Sequence, residues 1–409
     1  GTKAGGNATN NTFNIAIGHD AFLGSINDGN KNIALGYESM AIGDVSGADN
    51  IAVGSKGLRA LTTGGSNIAV GSGSMGIGTV VSNDNIAIGN FALEDNTTGG
   101  NNIAIGSGSL ANATNNIGNV AIGFEAMGDS VNDGHWNVAI GYQAMYNGDS
   151  SGDDNIAIGR NAGASITTGV DNILLGRGAG DAITGGLRNI LLGRYSGTDI
   201  VSGKYNISIG DNAMGDLTVG DHNIAFGQGA LGSAGSTDIQ ENIAIGKHSM
   251  HEGVVTGDNN TGLGSQTLNN LTSGQSNLAI GSGSMGLGTV TGNDNVAVGN
   301  FALEDITSGG NNIAIGSGSL ASATDNTGNI ALGFEALKTS ANDGDRNIAI
   351  GYQTIKTGDV SGTDNIAIGT NALDDLTSGT DNIVLGSGAG LQVTDNVDNI
   401  AIGHDAFAA

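Results

Sequence analysis

Along this chain an apolar residue, a small residue and a second apolar residue alternate between an asparagine and a glycine, again and again. Ile15-Ala16-Ile17 and Val138-Ala139-Ile140 are typical, and the unit reads N-[IV]-A-[IVL]-G. Alternation with period two predicts a β-strand. The large second and fourth places are expected to fill a narrow interior, with the small third place on the opposite face. After the glycine, a small eighth place and an apolar ninth (Ala92 and Leu93, Ala144 and Met145) predict a second short strand that closes a coil. The remainder is rich in Gly, Asn, Asp, Ser and Thr and reads as turn.

The unit, with its third place Ala in 18 copies and some variation at the second and fourth, occurs 23 times, from Asn14 to Asn399, at spacings of 17 residues twelve times, 18 nine times and 19 once. A repeat of this length points to a solenoid whose coils bury their apolar residues only by stacking. The predicted fold is therefore all-β: a parallel β-roll of about 23 coils of 17–18 residues, running over 14–409 after a partial coil at 1–13. Stacking at about 4.8 Å per coil would make a rod of roughly 110 Å. Residues 67–126 match 277–336 at 46 of 60 positions, and the likeness extends to 67–199 against 277–409, a duplication offset by 210 residues. Neither end shows an atypical polar cap, so the chain reads as a segment of a longer fibre.

Asparagine at place one and glycine at place five never vary. Asn14, Asn32, Asn50, Asn67, Asn85, Asn102, Asn206, Asn295, Asn382 and Asn399 are expected to stack with their neighbours as an amide ladder. Gly18, Gly89, Gly210 and Gly403 are expected where the backbone needs a positive φ or a close approach. Pro, which would remove a ladder donor, is absent.

Departures from the unit are coordinated. Where the third place enlarges to Leu174, Leu191 or Val384, the ninth shrinks to Gly180, Gly197 or Gly390. Volume is traded between places that the strand assignment puts on opposite faces, so the sharing is expected across a subunit contact. Gly163, paired with Ala157, breaks the rule. In units followed by a 17-residue spacing the thirteenth place is Thr in eleven of twelve, as at Thr62, Thr97 and Thr307, the exception being Val201. Longer units use loops such as INDGNKN and DVSGADN.

Composition narrows the function. With 75 Gly, no Cys and 4% aromatic residues, the bulk that fills an enzyme core is missing. A net charge of −26, from 39 acidic and 13 basic residues, argues against nucleic acid as a partner, because phosphate binding needs clustered Lys and Arg. No apolar run approaches a membrane span, so no membrane insertion is expected of this segment.

Candidate chemistry is sparse. GSGSMG at 71–76, with its copy at 281–286, matches G-x-G-x-x-G but is followed by IGTVV and LGTVT rather than a helix. His248, His251 and Glu252 lack metal-motif spacing and read as loop residues. Asp precedes the repeat asparagine at 49, 84, 154, 171, 294, 364, 381 and 398, and the last three lie in consecutive coils. Such a row is either a solvated acidic face or a site for accessory Ca²⁺, which takes carboxylate and carbonyl oxygens. No catalytic, cofactor or resident metal site is assigned, and the chain is not expected to be an enzyme.

The unit N-[IV]-A-[IV]-G-x-x-[AS]-[LM], best seen in NIAIGNFALEDNTTGGNN at 85–102, resembles the head repeats of YadA-like trimeric autotransporter adhesins and, more closely, repeats of phage tail-fibre proteins. The resemblance covers essentially the whole chain. It implies a left-handed roll, three chains wound side by side, an extracellular, cell-surface or virion location, and attachment to a host-cell receptor or surface glycan. These coils are longer than the adhesin's, and no stalk, barrel anchor or self-cleaving chaperone is seen. An outward row of small Ala would let another chain's sheet approach, which also points to a homotrimer. Three functional classes fit: a fibre shaft or adhesin-like display rod, a self-assembling extracellular filament, and an ice- or surface-binding solenoid with a Thr array. Trp136, Tyr205 and the stretch GSAGSTDIQEN at 232–242 are the candidate recognition loops.

Overall fold

The computed structural model describes residues 2–6, 12–24, 29–129, 134–147, 151–232, 235, 238–339, 344–357, 360–391 and 394–407. The INDGNKN loop, the GSAGSTDIQEN stretch and the 1–13 segment thus lie partly outside the described residues. The chain forms two compact units, 1–205 and 206–409. Each is a parallel β-solenoid, and no helix occurs among the described residues.

The first unit carries eleven three-residue strands, from Ile15–Ile17 to Ile190–Leu192, and the second twelve, from Ile207–Ile209 to Ile400–Ile402. Within each unit every strand pairs in parallel with its equivalent in the next coil, place for place: Ile86 opposite Ile103, Ala87 opposite Ala104, Ile88 opposite Ile105. The second unit adds one short pair, Gly220–Asp221 with Ile239–Gln240. Coils of 17 and 18 residues therefore keep one register.

The strand faces are the reverse of the sequence expectation. Ala at place three is fully buried, as at Ala87, Ala157 and Ala297, while its neighbours Ile88 and Ile158 are 39% and 37% exposed. The interior is narrow: a methyl group fits opposite a large ninth-place side chain, and a leucine or valine only where the ninth place is glycine. The large second and fourth places form two aliphatic rows on the outside of each unit. The Ala row therefore cannot receive another chain.

The expected second strand is a turn. Residues six to nine of each coil form tight turns, and the ninth-place side chains point inward, with Leu93, Met145 and Leu303 fully buried. Their backbones are left-handed, with φ near +50° at Leu93 (48°), Met145 (50°) and Leu303 (49°), a conformation that bulky residues seldom adopt. The stack, not local preference, imposes it.

The third interior wall has its own signal. In eight of the twelve 17-residue coils it is a Leu or Ile at the twelfth place, such as Leu61, Ile166, Ile306 and Leu376; in five of the nine 18-residue coils the twelfth is Gly and a valine at the fourteenth takes over, at Val45, Val80, Val255, Val290 and Val360. The extra residue is absorbed by moving the inward side chain two places along.

Third and ninth places thus share one interior within a single chain, so the expected trade across a subunit contact is replaced by a trade inside the coil. A Cβ on Gly180 would lie 2.9 Å from Leu174 Cδ2, and one on Gly197 would lie 2.7 Å from Leu191 Cδ1.

Candidate functional site

The repeat asparagines sit at the seam where one coil becomes the next. Asn32 to Asn382 are buried, and only Asn14 and Asn399, at the ends of the array, are half-exposed. Within each unit, the Oδ1 of every repeat asparagine but the last accepts the backbone N–H of the next coil's asparagine: Asn32 N–H donates to Asn14 at 2.7 Å, Asn85 to Asn67 at 3.1 Å, Asn223 to Asn206 at 3.0 Å and Asn312 to Asn295 at 3.0 Å. Each Nδ2 donates to the carbonyl three residues before the next asparagine, as from Asn50 to Gly64 (2.9 Å), Asn85 to Gly99 (2.9 Å), Asn102 to Asn116 (2.6 Å) and Asn382 to Asn396 (2.7 Å). In many coils the amides also bond one another, Asn399 Nδ2 donating to Asn382 Oδ1 at 2.9 Å. One side chain thereby closes its own coil and grips the next.

Gly18, Gly89, Gly210 and Gly403 have φ of 137°, 143°, 144° and 132°. A Cβ on Gly89 would overlap the Gly106 carbonyl, with the carbonyl carbon 2.6 Å away, and Gly18 and Gly210 meet Gly36 and Gly227 in the same way. At Gly403 the nearest atom would be Ala406 Cβ at 4.0 Å.

The acidic row has a backbone cause. All eight aspartates before the repeat asparagine are left-handed, with φ from 57° to 62°. Asp tolerates that region better than most residues. Asp364 is held by Arg346 in a two-pronged pair at 2.7 and 2.8 Å. Among the described residues no group of three His, Cys, Asp or Glu is placed to hold a metal ion. Trp136 and Tyr205 occupy the same row, at φ 56° each. Trp136 packs over Gly118, where a Cβ would lie 2.6 Å from its ring, and Tyr205 Oη accepts from Arg188 Nη1 at 3.0 Å.

The glycine-rich motifs serve aromatic neighbours. Gly73 and Gly283 make room for the rings of Phe91 and Phe301, which a Cβ would meet at 2.8 and 2.7 Å. His248 and His251 stack with ring centroids 4.4 Å apart, and burial, then His251, lowers the His248 pKa. The threonine code is a bond between coils: Thr97 Oγ1 donates to the Thr114 carbonyl at 3.0 Å and Thr307 Oγ1 to that of Thr324 at 2.8 Å.

What remains unengaged is the outside. The double aliphatic row at places two and four runs up each unit, interrupted in composition only at Phe226 and Thr261. At place six it is flanked by stacked aromatic pairs, Phe124 with Tyr142 and, in the duplicated block, Phe334 with Tyr352, both at 5.4 Å. Sequence reasoning missed this face because it assigned those side chains to the core. Period two held the clue, since it puts the ladder asparagine on the same face as Ala. Compared with protein-family models and with curated proteins, the chain matches none.

Proposed function

We propose that this chain is the shaft of an extracellular fibre, a passive element of length, stiffness and display in which several copies pack side by side through the aliphatic rows. The observation that carries this reading is the exposed pair of apolar rows repeated on the strands of both units, with Ile88, Ile158, Ile245 and Ile368 each 37–39% exposed although coils above and below cover them. Contiguous apolar surface on this scale marks an interaction face. A partner must match its rise coil for coil, and a further copy of the same chain has that rise by construction. The resemblance to adhesin heads and tail fibres favours three copies, and it favours a cell-surface or virion setting. The filament reading needs end-to-end growth as well, and the lateral rows do not supply it.

Light scattering on the intact chain, with electron microscopy of the particles, tests the proposal. A trimer mass is expected, falling to monomer when Ile88 and Ile158 are both changed to Asp while the β-sheet circular dichroism is retained. A monomeric wild type would overturn lateral packing, and particles that lengthen without limit would favour the filament.

A further inference from the structure

Four of the chain's six arginines fall within residues 160–194, in a protein of net charge −26. Three of them, Arg160, Arg177 and Arg194, occupy place six of consecutive coils and so form one exposed column continuing Phe124 and Tyr142. Arg160 lies over the Tyr142 ring at 5.6 Å, and Arg177 and Arg194 lie over Tyr195 at 5.3 and 5.7 Å. Tyr195 is itself seated on Gly178, where a Cβ would come within 2.7 Å of the ring. The guanidinium groups are thus held by aromatic faces. Arg160 and Arg177 make no ion pair among the described residues.

Between them is an open groove of about 190 Å³, lined by Arg160, Asn161, Arg177, Gly178, Asp181 and Tyr195. Arg160 and Arg177 stand on coils whose backbones are about 4.8 Å apart, and two like charges lining one groove repel one another unless an anion lies between them. Their planar forks match a carboxylate or sulfate. Asp181, half-buried in the same groove, would repel a bare anion but accept bonds from hydroxyl groups, and Asn161 adds an amide. Burial, then Asp199, pushes the Asp181 carboxyl above its ordinary range.

The internal duplication shows that the scaffold does not need these residues. At an offset of 210, Arg160, Arg177, Asp181, Arg194 and Tyr195 become Thr370, Ser387, Leu391, His404 and Asp405, while the asparagines, the fifth-place glycines, Asn371 and Gly388 remain. The second block builds the same coils without the column, and its Tyr352 keeps the aromatic position of Tyr142.

We infer that the groove at Arg160, Arg177 and Asp181 binds an acidic saccharide, with the anionic group on the two arginines and ring hydroxyls on Asp181 and Asn161. This inference does not depend on how many chains associate.

The test is isothermal titration of the full chain with oligogalacturonate, sialyllactose and a heparin-derived hexasaccharide, against maltohexaose and tripolyphosphate. At least one acidic saccharide is expected to bind, maltohexaose is not, and the Arg160→Thr, Arg177→Ser double variant should bind at least about tenfold more weakly. That variant carries the residues the second block already uses, so its melting temperature should stay unchanged. Asp181→Leu should weaken the saccharide and leave tripolyphosphate no weaker. No binding by any acidic saccharide, equal binding by the double variant, or tripolyphosphate binding as tightly as the best saccharide would each overturn the inference.

Discussion

Leu174 reaches beneath Gly163 of the preceding coil: a Cβ on Gly163 would stand 2.7 Å from Leu174 Cδ1. The glycine that broke the pairing rule is therefore a second accommodation of the same leucine, whose Cδ2 already requires Gly180. Val384 is shorter, and the preceding coil keeps Leu373: a Cβ on Gly390 would meet Leu373 Cδ2 at 3.0 Å and Val384 Cγ1 only at 3.6 Å. Gly163→Ala should cost about 1–3 kcal/mol, through overpacking and its φ of 56°. In a double-mutant cycle with Leu174→Ala, read from urea midpoints, the two changes should couple by about 1 kcal/mol or more, because the new methyl strikes Leu174 at 2.7 Å as well as Ile166 at 2.8 Å. Additive losses would show that the two residues do not share the space.

Gly89 and Gly403 share a positive φ but not an environment. Gly89→Ala adds a clash with the Gly106 carbonyl to the backbone strain, whereas Gly403→Ala adds strain alone. The first should lose more than about 3 kcal/mol and the second about 1 kcal/mol, a contrast that thermal denaturation of the two variants resolves. Equal losses would place the whole requirement in φ.

The repeat, its strands and its register were legible because a short unit recurring at 17 or 18 residues leaves few ways to stack. The facing of the strand was not. Alternation separates Ile86 and Ile88 from Ala87 but does not say which side is inside, and side-chain size gave the wrong answer because this interior is narrower than an isoleucine row. The trade between Leu174 and Gly180 already required both to face one space, and reading it as a contact inside the coil would have turned Ala inward. The turn at the eighth and ninth places was illegible because Met145 and Leu303 hold backbone conformations that their residue types disfavour. The arginine column was hidden by overall acidity, becoming visible only once coils at 155, 172 and 189 were set one above another.

Asn96 is buried, its Nδ2 donating to Ser82 Oγ (2.9 Å) and the Gly99 carbonyl (3.1 Å), but its Oδ1 has no hydrogen-bond partner. The second block solves the same position with Ile306, fully buried, and replaces Ser82 by Gly292. Asn96→Ile with Ser82→Gly should therefore stabilise the first unit by about 1 kcal/mol or more, since an apolar side chain takes the place of a buried acceptor that has no partner. Hydrogen exchange localised to 85–102 would report the added stability, and a loss would mean that Asn96 is satisfied in solution.

Glu335 joins two coils electrostatically. Its carboxylate accepts from Lys338 Nζ (2.6 Å), Gln353 Nε2 (2.8 Å) and Lys356 Nζ (3.0 Å), and these bonds, that of Lys338 foremost, lower its pKa to about 2. A carboxyl depressed in the folded state stabilises fully above its ordinary value of 4.5, and that stabilisation is lost as pH falls from 4.5 towards 2, where the folded state must also take up the proton. Glu335→Gln should lower the melting temperature at pH 7, by an amount corresponding to about 1 kcal/mol, and have little effect at pH 2. In the first block Glu125 keeps the glutamine partner, Gln143 at 2.8 Å, but the two lysines are replaced by Gly128 and Tyr146. Glu125→Gln should consequently cost less at pH 7. A Glu335→Gln loss that persists unchanged at pH 2 would assign the residue's contribution to packing rather than charge.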